Sequence, residues 1–172
     1  GPPTVICDAP TGSDGTWGRR GMILFDGGGA DPILRVAASG GVATPQVSVD
    51  SSGTANQVGW PEFLPDGDHF FYLTVLPTPL LHVGSVRSGK SKELGPCESQ
   101  VQFIKPGYIL YSRGGSLVIQ RFDVRGLKLL GEPIPVAEQV GASGVGGSDF
   151  RASENGVLVY STRSTAAARS AC

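Results

Sequence analysis

The chain has 172 residues, enough for one medium-sized domain with a sizeable core. Fourteen Lys and Arg face fifteen Asp and Glu, and a net charge of −1 favours neither a nucleic acid nor an anionic membrane as partner. With 26 Gly and 13 Pro beside 40% hydrophobic residues, the composition is that of a turn-rich β protein rather than a disordered chain.

Gly and Pro also bound the secondary structure. Before residue 157 the longest stretch free of both is Ser116–Arg125, shorter than an average globular helix of about 11–12 residues. A parallel α/β sheet needs crossover helices, and this chain has no room for them. The expected class is all-β.

In chain order, Gly1-Pro2-Pro3 reads as the edge of a fragment. Residues 5–15 hold Val5-Ile6-Cys7, a lone strand expected as the outer strand of a preceding blade or as a partner of the incomplete fourth unit. Four units follow, expected over 16–57, 58–99, 100–147 and 148–163, with a tail over 164–172. Each opens on a shared phrase, an aromatic or apolar entry, a turn glycine and an apolar exit strand: TWGRRGMILF, WPEFLPDGDHFFYL, VQFIKPGYILY and SDFRASENGVLVY. In the second phrase Pro65 presets a turn and Gly67 supplies the φ > 0 position that closes the hairpin. The turn glycines Gly21, Gly67, Gly107 and Gly156 are spaced by 46, 40 and 49 residues, the length of a four-stranded propeller blade.

A second hairpin follows in each complete unit. The first has ILRVAASGG (33–41) and then Gln46–Val49; the second has LLHVGSVRSG (80–89) and then Ser91–Leu94. The third has LVIQRFDVRG (117–126), then Leu127–Leu130 and Ile134–Val140. Loops fall at Asp26–Asp31, Asp50–Val58 and Gly141–Ser148. Continuous apolar exits such as Met22–Phe25 and Val157–Tyr160 suit middle strands covered on both faces by neighbouring blades. The predicted fold is a partial β-propeller of three complete antiparallel blades and part of a fourth.

This succession, from GTWGRRGMILF through GWPEFLPDGDHFFYL and PGYILYSRGGSLVIQRFDVRG to FRASENGVLVYST, resembles TolB-type, WD-repeat-like propellers. The likeness extends to copies C-terminal to bacterial serine/threonine kinases and in related extracytoplasmic proteins. It covers nearly all of residues 5–162. It implies six blades, a non-enzymatic scaffold of bacterial origin, and binding of a protein or small ligand at a rim or channel mouth. The chain departs from that pattern in blade number, which leaves open blade faces and unpaired edges. The ring is then part of a larger propeller, or copies of the chain associate as a homo-oligomer to complete it.

Motifs for chemistry weigh little beside this. Gly84–Ser91 spells GxxxxGK[ST], but Gly95-Pro96 ends any helix after it, and the phrase coincides with the turn of a second hairpin. Asp26 after Met22–Phe25 imitates a magnesium-binding acid but lies upstream of the motif. His69 and His82 fall inside predicted strands, no GxSxG elbow occurs, and two histidines are too few for a catalytic zinc. Asp8 and Asp14 lack calcium-loop spacing. Cys7, Cys97 and Cys172 form no CxxC and are odd in number; Cys7 and Cys97 read as small buried hydrophobes. No catalytic residue, metal or cofactor is expected. No run reaches the roughly 18 apolar residues of a membrane-spanning helix, and no secretory signal precedes Thr4, so the compartment is unreadable.

The innermost strand of each blade lines a propeller's axis. Those strands are expected to start near Thr16-Trp17, Gly59-Trp60, Gln100-Val101-Gln102 and Ser148-Asp149, with Trp17 and Trp60 at equivalent positions. The candidate ligand-facing residues are Trp17, Arg19, Trp60, Glu62, Gln102 and Arg151; for the two tryptophans, packing between blades is the competing role. The expected function is a non-enzymatic binding scaffold recognising a protein, peptide or small ligand. The alternative is an accessory propeller domain of a larger enzyme, such as a prolyl-oligopeptidase-like hydrolase.

Overall fold

A computed structural model describes residues 2–9, 12, 14–27, 32–48, 57–75, 78–142, 146–153 and 155–162. Most of the 50–58 loop, the tips of the 26–31 and 141–148 loops and the tail with Cys172 lie outside them.

Fourteen strands and no helix form among the described residues. The first unit holds β1 (Gly15–Trp17), β2 (Met22–Asp26), β3 (Ile33–Ala37) and β4 (Thr44–Val47). The second holds β5 (Val58–Phe63), β6 (His69–Thr74), β7 (Leu80–Ser85) and β8 (Ser91–Pro96). The third holds β9 (Val101–Ile104), β10 (Tyr108–Arg113), β11 (Ser116–Asp123) and β12 (Lys128–Ala137), and the fourth only β13 (Phe150–Ala152) and β14 (Leu158–Tyr160). Each set is a separate antiparallel meander, in orders β1-β2-β3-β4, β5-β6-β7-β8, β9-β10-β11-β12 and β13-β14. The architecture is a partial β-propeller.

The turns form as their residues dictate. Gly67 N–H donates to Leu64 C=O at 3.0 Å around Pro65-Asp66, with Gly67 at φ 68°. The Asp66 carboxylate takes the next two amides, Asp68 and His69, at 2.8 Å each, the local bonding that makes Asp a turn residue.

The core lies between blades, because each sheet is apolar on faces that only a neighbouring sheet can cover. Between the first and second, Leu24 and Ile33 meet Val58, Phe63, Phe70 and Tyr72. Between the second and third, Phe71, Leu73, Leu81 and Val83 meet Val101, Ile109, Val118 and Phe122. Phe71 and Phe122 cross edge to face, with ring centroids 4.9 Å apart. Between the third and fourth, Leu110, Leu117 and Val140 enclose Phe150.

Three expectations need correcting. Residues 5–7 form no strand; Ile6 C=O accepts a backbone hydrogen bond from Gly41 N–H at 3.3 Å. The pieces 127–130 and 134–140 make a single strand, β12, which follows β11 by taking up register shifts, as a bulge allows. The run 157–160 is not covered on both faces: Val159 is 65% and Tyr160 41% exposed, whereas the matching residues of β6 and β10 are buried. No described element packs over that face.

Gly84–Ser91 is the hairpin turn between β7 and β8. Its amides are already engaged: Gly89 N–H donates to Ser85 C=O, and Arg87 N–H to Asp68 Oδ1. Gly84 itself makes room for an aromatic ring, since a Cβ there would lie 2.7 Å from the Phe70 ring.

Candidate functional site

The inner strands β1, β5, β9 and β13 converge on the axis and line three cavities in series. They measure about 720, 130 and 330 Å³, and adjacent ones share wall residues. Counting back from each turn glycine explains which side chains meet there. Seven residues ahead stand Asp14, Trp60, Gln100 and Asp149, and all four border the largest cavity. Five residues ahead stand Thr16, Glu62, Gln102 and Arg151, which border the waist or the lower cavity. The two positions are two residues apart, the spacing at which side chains of an extended chain share a face. In the second blade the bulge of β5 interrupts that alternation between Trp60 and Glu62.

The second set also ties the blades together. Thr16 Oγ1 accepts from Phe63 N–H at 3.2 Å, across the first junction. The Glu62 carboxylate accepts from Phe103 N–H across the second. At the third, the Gln102 side chain grips Ala152 twice: Oε1 accepts from its N–H at 2.7 Å, and Nε2 donates to its C=O at 2.6 Å. One register position thus supplies an inter-blade clasp three times over. Arg151, the fourth occupant, carries no acceptor atom; it is exposed, and its charge acts on both Asp14 and Glu62.

Burial sets the electrostatics. It pushes the Glu62 carboxyl up to about 7, against the opposing pull of Arg151 and of the Phe103 N–H, with Asp14 adding to the rise. Burial likewise raises Asp14, opposed by the Gly15 N–H and Arg151 and reinforced by Asp26. Asp14 N–H in turn donates to Asp26 Oδ1 at 3.3 Å.

The six residues expected at the channel mouth therefore separate along the axis. Trp60 and Arg151 border the largest cavity and the waist, and Glu62 and Gln102 the waist and the lower cavity. Trp17 and Arg19 border only the lower cavity. Trp17 and Trp60 are not equivalent. Trp17 lies four residues ahead of its turn glycine and Trp60 seven, so they differ in strand parity. Trp60 also sits in a bulge of β5 at φ 53°, partly buried against the second-to-third-blade core. Its ring presses on Gly146, where a Cβ would come within 2.9 Å and where φ is 78°. Trp60 thus packs and lines the opening at once. Trp17 is 63% exposed.

Asp14, Gln100, Asp149 and Tyr160 join the largest cavity without having been singled out as ligand-facing. Counting seven residues back from the turn glycines marks the first three; Tyr160 arrives on β14 and carries no such mark. Gln100 Nε2 donates to Ser148 C=O at 3.0 Å, which fixes it at the third junction.

The histidines have local partners. His69 Nδ1 lies 2.6 Å from Asp66 Oδ2, while His82 stacks on Tyr72 and meets Thr74 Oγ1 at 3.1 Å. Cys97 is buried, and burial pushes its thiol up to about 12. Cys7 is only half-buried. Among the described residues no group of three or more potential metal ligands forms, and no helix is long and apolar enough to cross a membrane.

No family model and no curated protein matches the chain. Among solved structures it is similar to TolB from Acinetobacter baumannii, with a TM-score of 0.59 at 15% identity over 90% of this chain. It spans 38% of the length of that structure. At this identity the likeness concerns the fold, and the fold is TolB-like.

Proposed function

We propose that the chain is a non-enzymatic binding scaffold that recognises a protein, peptide or small ligand at its axial opening. The observation that carries this reading is the convergence, on one opening of about 720 Å³, of side chains that stand on or immediately ahead of the four inner strands. Trp60 and Tyr160 offer aromatic surface there, beside Arg151, Asp14 and Asp149. A pocket with apolar walls and a few placed polar groups is the usual form of a ligand site, and a rigid β framework suits recognition by shape.

The test is selection of peptides from a displayed library against the chain, followed by titration on Trp60→Ala and Arg151→Ala. Binders that lose tenfold or more in affinity on both variants support the reading. Binders indifferent to both place recognition elsewhere and refute it.

The open face of β14 favours a second element of the proposal. Copies of the chain, or further blades of a longer protein, cover Val159 and Tyr160 and complete the ring. Light scattering coupled to size exclusion separates the two, because a stable monomer rules out self-association. A kinase encoded upstream would make the scaffold a sensor, and a hydrolase encoded downstream would make it a gate.

A further inference from the structure

We propose that Glu62 is a proton-operated clasp between the second and third blades: protonated, it grips Phe103 at both backbone groups, and ionised, it holds only the N–H and adds a negative charge to the axis. The proposal starts from the repeated register position. Gln102 shows what a side chain with one acceptor and one donor does there, binding both the N–H and the C=O of Ala152. On an edge strand the N–H and C=O of one residue point to the same side. Phe103 already directs its N–H at Glu62, so its C=O faces the same way. A protonated carboxyl has the acceptor and donor of a primary amide in nearly the same shape. A carboxylate has acceptors alone, and beside Phe103 C=O it sets oxygen against oxygen.

The surroundings bring this exchange into the neutral range. Glu62 is half-buried between the waist and the lower cavity, and burial is the largest influence on its carboxyl, whose midpoint rises from 4.5 to about 7. The charged groups around it are Arg151 on β13 and Asp14 ahead of β1. Arg19 and Lys105 stand on the wall of the lower cavity that Glu62 also borders. Its neighbours Gln102 on β9 and Gln100 just ahead of it are neutral. At the other two junctions the acceptors are Thr16 and Gln102, which do not titrate at physiological pH. Of the three clasps, the second is the one whose acceptor titrates, whatever the opening binds.

The sign follows from linkage. The folded chain holds this proton more tightly than the unfolded one, so the contribution is full below the ordinary midpoint of 4.5 and is lost as pH rises to about 7. The experiment is urea unfolding of the wild type and Glu62→Gln at about pH 5 and about pH 8, with the midpoint traced between them. Glu62→Gln mimics the protonated state and should match the wild type at the acid end. At the alkaline end its folding constant should exceed the wild type's by roughly tenfold to a hundredfold. A ratio that does not change with pH overturns the proposal.

A second measurement uses the wild type alone. In carbon-13 spectra one glutamate carboxyl should titrate near neutrality, and the Phe103 carbonyl carbon should follow it with the same midpoint as its hydrogen bond is gained or lost. A burial effect without the clasp would leave that carbonyl unmoved, and glutamates all titrating near 4.5 would also overturn the proposal.

Discussion

Replacing Gln102 by Ala should loosen the fourth unit before it unfolds the rest. The side chain makes two short hydrogen bonds to Ala152, at 2.6 and 2.7 Å, across the junction between β9 and β13. Each is worth about 1 kcal/mol net, and a partly buried backbone group left unpaired costs about 1–3 kcal/mol. The expected loss for docking the β13–β14 hairpin is about 2–4 kcal/mol. That hairpin has three paired positions, and its buried anchor is Phe150 among Leu110, Leu117 and Val140. It therefore sits at the low-stability end of the fold, where such a loss becomes local opening. Hydrogen exchange followed by mass spectrometry should show faster exchange at residues 150–152 and 158–160, with β6 and β7 unchanged. Gln102→Glu at neutral pH should fall between, since it keeps an acceptor for Ala152 N–H but loses the donor to Ala152 C=O. Unchanged protection of the hairpin in Gln102→Ala would refute the clasp as a hold between blades.

Other substitutions probe the packing. Phe71 is fully buried between the second and third blades, so Phe71→Ala should cost about 3–5 kcal/mol in denaturant unfolding. A double-mutant cycle with Phe122→Leu should return a coupling of about 0.5–1.5 kcal/mol for the edge-to-face pair. Gly84→Ala should destabilise by about 1–3 kcal/mol, because its methyl group meets the Phe70 ring at 2.7 Å; Phe70→Leu in the same chain should recover part of this by urea titration. Alkylation of the native protein near neutral pH, mapped by mass spectrometry, should spare Cys97 until urea unfolds the chain, because its thiol is buried and held up at about 12.

Much of the fold could be read from local rules. Turn residues such as Pro65-Asp66-Gly67, apolar runs too short for helices, and a phrase recurring at 46, 40 and 49 residues specify strands, hairpins and blades, because turn geometry and side-chain alternation are properties of neighbouring residues. The opening could be read only in part, since it depends on which residues of different blades face one another. Trp17 and Trp60 look alike in sequence, yet a bulge in β5 and opposite strand parity send them to different ends of the axis. Tertiary structure alone decided that Thr16, Glu62 and Gln102 share one clasp position, and that burial there moves a single carboxyl toward neutrality. Hydrogen bonds between residues 40 to 50 positions apart, and the loss of water around them, arise only once the blades stand side by side.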